Sequence, residues 1–352
     1  MKITRITLGF AILAAVGLIV GCGKKEPNVA PEPDTEVQSA LDAAWATYVV
    51  SDIDMMCSFV GVNQPLSHFY TPIPGTENSL APGTGTLRVV RDVSQKRLSM
   101  VFNQTQCLDG RLRSGEVRLV YDPALKIHPK SNPNAEYYHE YGFGGRLTTT
   151  NYQVDGWEIS MPEPGYIYCD LDRNDWIPEE TKVSWTIVGK FIFKHGVDSA
   201  KGILAPTEIF WDGKLTKVLL NTDDEDVFRK GGTAPAVTWS LANCGYYGEV
   251  SGRTNSVVPF SMSITEPNML VRDFTCSPDR IGGVTLNNSN DMVQRDEEHH
   301  PFVQGVARFT TGDKYPRQIY FGNEGNPKLQ AQCDNVGEVM IKGIAYRVNF
   351  RK

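Results

Sequence analysis

The thiols are the side chains of this sequence whose number and spacing most clearly point to chemistry. The chain of 352 residues carries seven cysteines. No two of them form a Cys-x-x-Cys pair, and none has a histidine at zinc-finger spacing, so the sequence predicts no metal site and no cofactor. Beyond residue 22 an even set remains, as in the disulfide framework of an exported protein: Cys57, Cys107, Cys169, Cys244, Cys276 and Cys333.

The motifs of common active sites are missing from the sequence. It has no Gly-x-Ser-x-Gly elbow, no phosphate-binding loop and no His-Glu-x-x-His. Asp170, Asp172 and Asn174 begin like an EF-hand loop, but the glycine and the final glutamate of that loop are absent. His299 and His300 follow two carboxylates, yet adjacent side chains on a strand face opposite ways. We therefore predict no catalytic residue and no metal ligand.

The first 22 residues form a pattern of their own. A positive start, MKITR, precedes the apolar run ITLGFAILAAVGLIV, which is short for a transmembrane helix. The run ends in Ile19-Val20-Gly21-Cys22, which resembles the lipobox of bacterial lipoprotein signal peptides. The resemblance implies that residues 1–21 are removed and that Cys22 is acylated and becomes the mature N-terminus. An ordinary secretory signal or an uncleaved anchor helix is the alternative.

Residues 22–34 are polar and rich in proline, which predicts an extended tether between the lipid and the folded body. Gly23 is not the aspartate that tends to retain lipoproteins in an inner membrane, so we expect the outer membrane, at its periplasmic or its cell-surface face. The formal charge is −6, and removal of residues 1–21 makes the chain more acidic by taking away Lys2 and Arg5. An acidic protein without basic blocks is a poor partner for nucleic acid.

A phrase with a cysteine and then Gly-Glu-Val occurs three times: TQCLDGRLRSGEV from Thr105, ANCGYYGEV from Ala242 and QCDNVGEV from Gln332. We interpret it as a β-hairpin with a cysteine near its bend, a glycine that relieves backbone strain, an outward glutamate and an inward valine. A set of three catalytic glutamates is the alternative. Chain order then suggests three disulfides among the fifteen pairings that six cysteines allow: Cys57–Cys107, Cys169–Cys244 and Cys276–Cys333. Free buried cysteines are the alternative for any of these pairs.

The remaining periodicity predicts a mainly β protein, an antiparallel sandwich or stacked curved sheets with one short N-terminal helix. Residues 35–50 place apolar side chains at helical spacing. Short alternating runs fill residues 51–352, punctuated by Asp-Gly pairs at 109–110, 155–156 and 212–213. The polar segment 222–233 is either an exposed loop or the boundary between two modules, 51–221 and 234–352.

Several phrases, in this order, carry a family resemblance: FNQTQCLDGRLRSGEVRLVY, TTNYQVDGWEI, PFSMSITEPNMLVRDFTC, YFGN and CDNVGEVMIKGIAYRVNF. They resemble an uncharacterised family of Bacteroidota (Flavobacteria-type) lipoproteins with Cys-x-Asp-Gly-Arg and Cys-Asp-Asn motifs. Lys342-Gly343 stands where relatives usually have Asn-Gly. The resemblance covers most of the mature chain. It supports the localisation and the strand order and carries over no catalytic residue.

We therefore expect a lipid-anchored cell-envelope protein, a non-enzymatic binding or structural lipoprotein whose partner is an envelope protein or a glycan. Trp157, Trp176 and Trp211 are candidates for a binding platform, although buried packing is the commoner role of tryptophan. The alternative is a carbohydrate-active or other hydrolase on a β scaffold. It would need two carboxylates in one cleft, a pair that only the folded structure can define.

Overall fold

A computed structural model describes residues 34–61, 86–92, 94–107, 111–121, 142–169, 184–197, 205–229, 236–254, 258–273, 302–322 and 336–350. The chain from Glu36 to Lys352 groups into one compact unit. The boundary between modules 51–221 and 234–352 stays a prediction. One α-helix, α1 (Gln38–Gly61), precedes all the described strands. The strands are β1 (Thr86–Asp92), β2 (Arg97–Gln106), β3 (Leu112–Tyr121), β4 (Gly144–Val154), β5 (Trp157–Ser160), β6 (Gly165–Cys169), β7 (Ser184–His195), β8 (Thr207–Leu219), β9 (Phe228–Arg229), β10 (Ala236–Val237), β11 (Asn243–Arg253), β12 (Pro259–Ile264), β13 (Leu270–Asp273), β14 (Phe302–Thr311), β15 (Arg317–Gly322), β16 (Val336–Ile341) and β17 (Ile344–Asn349).

The prediction of a mainly β, antiparallel fold with one N-terminal helix is confirmed. Fifteen of the described strands form a single sheet in the order β1-β2-β3-β4-β5-β7-β8-β11-β12-β14-β15-β16-β17. Strand β6 bridges β4 and β7, and β13 bridges β11 and β14, while β9 and β10 form a separate ribbon. Because the strands follow chain order almost throughout, neighbouring strands are joined mainly by local connections.

The helix is longer than predicted and lies inside the protein. It continues past residue 50 through DMMCSFVG, and every one of its residues except Gln38 and Leu41 is buried. A helix that is covered on all sides needs no polar face, so its pattern past residue 50 carries no strong amphipathic period. For that reason residues 51–61 were mistaken for the start of the β region.

The sheet curves around this helix, because strands from both ends of the sheet contact it. At its C-terminal end, Arg91 of β1 donates to the carbonyl oxygens of Val60 (3.2 Å) and Gly61 (2.9 Å), which have no partner within the helix. At the opposite end, Arg317 of β15 donates to the carbonyl oxygen of Glu36 (3.0 Å). Strand β8 contributes from the middle of the sheet, where Trp211 Nε1 donates to Thr47 Oγ1 (3.1 Å).

The glycines of the repeated phrase mark places where two strands approach closely. A Cβ atom on Gly115, Gly248 or Gly337 would overlap a backbone carbonyl oxygen of the neighbouring strand. The valines two residues later, Val117, Val250 and Val339, are all buried. The inward direction of the valine is therefore confirmed. The predicted relief of backbone strain applies to Gly115 and Gly248, which have positive φ angles (82° and 147°), whereas the close approach is common to all three glycines.

The hairpin interpretation holds only in part. In the first copy, β2 and β3 form an antiparallel pair and Cys107 follows β2, as predicted. In the middle copy, Cys244 and Gly248 lie in one uninterrupted strand, β11, so a hairpin there is wrong. The cysteine of the last copy, Cys333, lies outside the described residues.

All three Asp-Gly pairs are predicted to form turns, and the two that the structure describes differ in their secondary structure. Asp155 and Gly156 both have positive φ angles (51° and 86°) and form the predicted turn between β4 and β5. Asp212 and Gly213 lie within β8, where a Cβ on Gly213 would come 2.9 Å from the carbonyl oxygen of Glu249. The prediction of a turn at 212–213 is wrong because this glycine serves strand packing. The pair at 109–110 is not within the described residues.

The close approach at Gly115 gives a prediction. Gly115 and Gly343 have nearly the same φ angle (82° and 80°), but a Cβ would meet backbone atoms of Asn151 and Thr150 at the first and open space at the second. We expect Gly343→Ala to lower the free energy of unfolding by about 1 kcal/mol through backbone strain alone. Gly115→Ala adds a clash between strands and should cost at least about 2 kcal/mol more. Urea unfolding followed by tryptophan fluorescence measures both, and equal losses would contradict the close approach.

Candidate functional site

The structure brings polar groups together at two places, one inside the sheet and one on its outer surface. The interior set, called here the helix charge cluster, consists of Asp52, Asp54, Arg113, Lys217 and Arg272. Asp52 and Asp54 are two residues apart on α1, and successive helical residues are rotated by about 100°. Their carboxylates therefore leave the helix on nearly opposite sides and meet different strands.

Asp52 is held by two arginines from distant strands. Arg113 of β3 donates to its Oδ2 (2.6 Å) and Arg272 of β13 donates to its Oδ1 (2.7 Å). Arg272 also donates to Ser51 Oγ (3.3 Å). Asp52, Arg113 and Arg272 are all buried, so this is an ion-pair triad enclosed by protein.

Asp54 is held on the other side of the helix. Lys217 Nζ of β8 lies 2.8 Å from its Oδ2, and Tyr246 of β11 donates its hydroxyl to the same oxygen (3.0 Å). Lys217 also donates to Ser58 Oγ, one turn further along α1. Its ammonium lies 4.7 Å from the ring centroid of Trp239 and 5.2 Å from that of Trp185, at cation–π distance.

The charges of this cluster fix its protonation. Burial alone would raise the pKa of Asp52, but the charges and hydrogen bonds of Arg113 and Arg272 outweigh it and lower that pKa below the ordinary value of 3.8. A carboxyl group that is ionised this firmly has no proton to donate near neutral pH, whereas a general acid needs a raised pKa. Asp52 therefore positions the helix and is not suited to acid catalysis.

The predicted disulfides are not found where the structure can be examined. Cys57 on α1 and Cys244 on β11 are free and buried thiols, so the Cys57–Cys107 and Cys169–Cys244 bridges are wrong. Pairing the cysteines by chain order failed because Cys57 belongs to the interior helix rather than to a strand. Burial raises the pKa of the Cys57 thiol well above its usual range and that of Cys244 to about 12. Cys276 and Cys333 lie outside the described residues.

The other predicted sites fall into two groups. Trp157 and Trp211 are buried and pack against Trp45 and Phe191, so they form no surface platform. The acidic residues 223–226 lie in an exposed turn. Cys22, Trp176, the EF-hand-like segment and the histidine pair lie outside the described residues. Within the part of the chain that is described, no group of three or more His, Cys, Asp or Glu side chains is arranged to hold a metal ion.

A groove of about 380 Å³ lies on the outer face of β12, β14, β15 and β16. We call it the outer groove. Its polar lining comes from Ser261, Ser263, Arg308, Thr310, Arg317, Gln318 and Lys342. A volume of this size falls within the range of small-ligand sites, roughly 300–1,000 Å³.

Register explains how the outer groove is assembled. Ser263 lies opposite Arg308, Arg308 opposite Gln318, and Gln318 opposite Met340, so four side chains form one row across four strands. Ser261 and Thr310 begin the next row, and their hydroxyls are 2.7 Å apart. The alternation of apolar and polar residues in PFSMSI and ARFTT could have shown that these side chains face outward. It could not show which strands are neighbours.

Sequence reasoning also missed the helix charge cluster. The signal for it was Ser-Asp-Ile-Asp within an otherwise apolar stretch, which we interpreted as the beginning of the β region. Two carboxylates in an apolar helix require buried cations from elsewhere in the chain. The sequence does not say which of its arginines and lysines those are.

Comparison of the chain with family models, with curated protein sequences and with solved structures finds no match. The relation to the Bacteroidota lipoprotein family therefore stays a prediction. Among the described residues, none of the helical segments has both the length and the apolar composition that a membrane crossing requires.

Removing the carboxylate of Asp52 tests the role of the cluster. Asp52→Asn leaves Arg113 and Arg272 buried without an anion, and we expect the free energy of unfolding to fall by about 3–5 kcal/mol at pH 7. The exposed pair Lys190–Glu163 is the control, since Glu163→Gln should leave the free energy of unfolding almost unchanged. Urea unfolding monitored by circular dichroism gives both values. Equal effects would contradict a structural role for the triad.

The effect of Asp52→Asn on stability should also depend on pH. The pKa of Asp52 is lowered in the folded state, so its contribution to stability is fully present above the ordinary value of 3.8 and is lost as the pH falls through the lower folded pKa. The stability difference between wild type and Asp52→Asn should therefore be constant near neutrality and should shrink below about pH 4. A difference that shrinks between pH 5 and 8 would contradict this assignment.

The thiols provide a separate test. Because Cys57 and Cys244 are buried and have raised pKa values, iodoacetamide at pH 8 should leave both unmodified in the folded protein. Both should be alkylated after unfolding in urea without any reductant, which a disulfide would prevent. Peptide mass spectrometry reads out each cysteine. Alkylation of the folded protein, or resistance after unfolding, would overturn the description of these residues as free buried thiols.

Proposed function

We propose that this protein is a lipid-anchored lipoprotein of the cell envelope whose β body is a non-enzymatic binding or structural module. Its localisation would be the outer membrane, with the body held at the periplasmic or the cell-surface face by an acylated Cys22. The lipobox, the apolar run before it and the polar tether after it support the anchor. Several acyl chains on one residue hold a protein firmly, since each buried methylene contributes about 0.8 kcal/mol.

The observation that carries the proposal for the body is the way its interior charges are used. Asp52 and Asp54, the two carboxylates at the centre of the helix, are both engaged by cations of the surrounding strands. Because these interior carboxylates hold the helix in place, recognition of a partner falls to polar groups on the outer surface. The outer groove presents hydroxyl, amide and cationic groups to solvent there.

The hydrolase alternative has less support. A glycosidase needs one carboxyl group with a raised pKa beside a second carboxylate. The pKa of Asp52 is shifted in the opposite direction, and Asp52 and Asp54 both lie in the enclosed interior. On the surface, Glu163 and Glu208 are paired with lysine or arginine side chains. We therefore favour binding over hydrolysis.

The anchor is tested at Cys22. Cys22→Ser removes the acceptor sulfur, so we expect it to abolish incorporation of an alkyne-labelled fatty acid and to stop membrane retention of processed protein. Cys57→Ser is the matched control, because Cys57 is buried in the folded body and should leave labelling unchanged. Labelling followed by membrane fractionation in a lipoprotein-processing host measures both. Persistent labelling of Cys22→Ser would contradict the anchor.

A further inference from the structure

We propose that the outer groove binds an acidic saccharide, with the carboxylate of a sugar residue on Arg308 and a second contact to Lys342. The assignment deepens the proposed binding function by naming the ligand class, and it rests on that function. It is independent of the lipid anchor.

The charge of the outer groove is the first argument. Arg308 is exposed, and within the described part of the chain neither Arg308 nor Lys342 forms an ion pair. On the neighbouring part of the same sheet, Lys194 and Arg253 are both paired with Glu208. Two cations that no carboxylate neutralises in one concavity give an otherwise acidic protein a local preference for an anion.

The position of Lys342 is the second argument. Lys342 and Gly343 form the turn between β16 and β17 with φ angles of 51° and 80°. This left-handed backbone is unfavourable for lysine, for which asparagine or glycine would be the better choice. The ammonium lies 3.2 Å from the centroid of the Tyr315 ring. The turn thus holds a cation at the rim of the groove, and an asparagine in its place would remove that charge without straining the backbone.

The remaining lining fits a sugar better than a bare anion. The row from Ser263 through Arg308 and Gln318 to Met340 crosses four strands spaced about 4.8 Å apart, so it extends over roughly 14 Å. Ser261, Thr310 and Gln318 present groups that both donate and accept hydrogen bonds, as sugar hydroxyls require. Met340 and Pro316 supply apolar surface for the C–H face of a sugar ring. Glu249 accepts from Ser263 (2.6 Å) at one end, which leaves the anion to the Arg308 side.

A pair of matched probes tests the proposal. Oligogalacturonate and its methyl ester have the same sugar chain, but only the first carries carboxylates. Isothermal titration calorimetry with the purified mature lipoprotein in detergent should show at least tenfold tighter binding of the charged form, and the advantage should decrease as salt is added. Inorganic phosphate at the same ionic strength should bind more weakly than the oligosaccharide.

Variants then place the ligand in the outer groove. Arg308→Gln should weaken oligogalacturonate binding about tenfold and leave binding of the methyl ester unchanged, since a charge-assisted bidentate contact is lost. Lys342→Asn should weaken binding severalfold while the turn becomes easier to form. Lys96→Asn is the matched control, because Lys96 also has a positive φ (48°) and lies in the distant turn between β1 and β2. It should leave affinity unchanged.

Each outcome decides the proposal. Equal affinity for the methyl ester, wild-type affinity in Arg308→Gln, or no binding of oligogalacturonate would overturn it. Phosphate binding as tight as that of the oligosaccharide would overturn the saccharide and leave only a simple anion site. Fatty-acid labelling of the same preparation separates the claim of saccharide binding in the outer groove from the claim of a lipid anchor. An acylated protein that fails to bind overturns the groove assignment alone, and a binding protein without lipid overturns the anchor alone.

Discussion

The fold depends on a carboxylate, that of Asp52, which two guanidinium groups must reach from opposite parts of the chain. Arg113 and Arg272 are 61 and 220 residues away from it in sequence. Unpaired buried charges are very unfavourable, so strands β3 and β13 both have to face the same turn of α1. A flat sheet cannot satisfy that condition, and the curvature of the fifteen-stranded sheet is its consequence.

Such a triad contributes more to defining the arrangement than to its net stability. The cost of removing charges from water nearly cancels their attraction, whereas loss of one partner leaves the others uncompensated. Asp54 and Lys217 apply the same constraint on the other side of the helix. The Asp52 triad and the Asp54–Lys217 pair fix the rotation of α1. The hydrogen bonds of Arg91 and Arg317 at the two ends of the helix fix its position along its axis.

Local signals were read correctly from the sequence, and signals that depend on tertiary context were not. Alternation identified the antiparallel strands, and Asp155-Gly156 is a turn because both residues can adopt positive φ. Gly213 has the same dipeptide context but lies in β8, where its lack of a side chain admits the neighbouring strand. The helix beyond residue 50 was missed because a fully enclosed helix has no solvent-facing side to give it a period. The charge cluster and the groove depend on strand order, which no short window of sequence contains.

A rigid interior has a consequence for the outer surface. Ser263, Arg308, Gln318 and Met340 of the outer groove come from four adjacent strands, so their spacing is set by the sheet, and Lys342 joins them from the turn after β16. Protein groups whose backbone is held in this way lose little backbone freedom when a ligand binds, which favours an extended ligand such as an acidic sugar chain. The helix fixes the curvature of the sheet, and the curvature fixes the relative positions of neighbouring outward side chains. The same buried carboxylate that organises the core thereby acts on the geometry of the surface where binding is proposed.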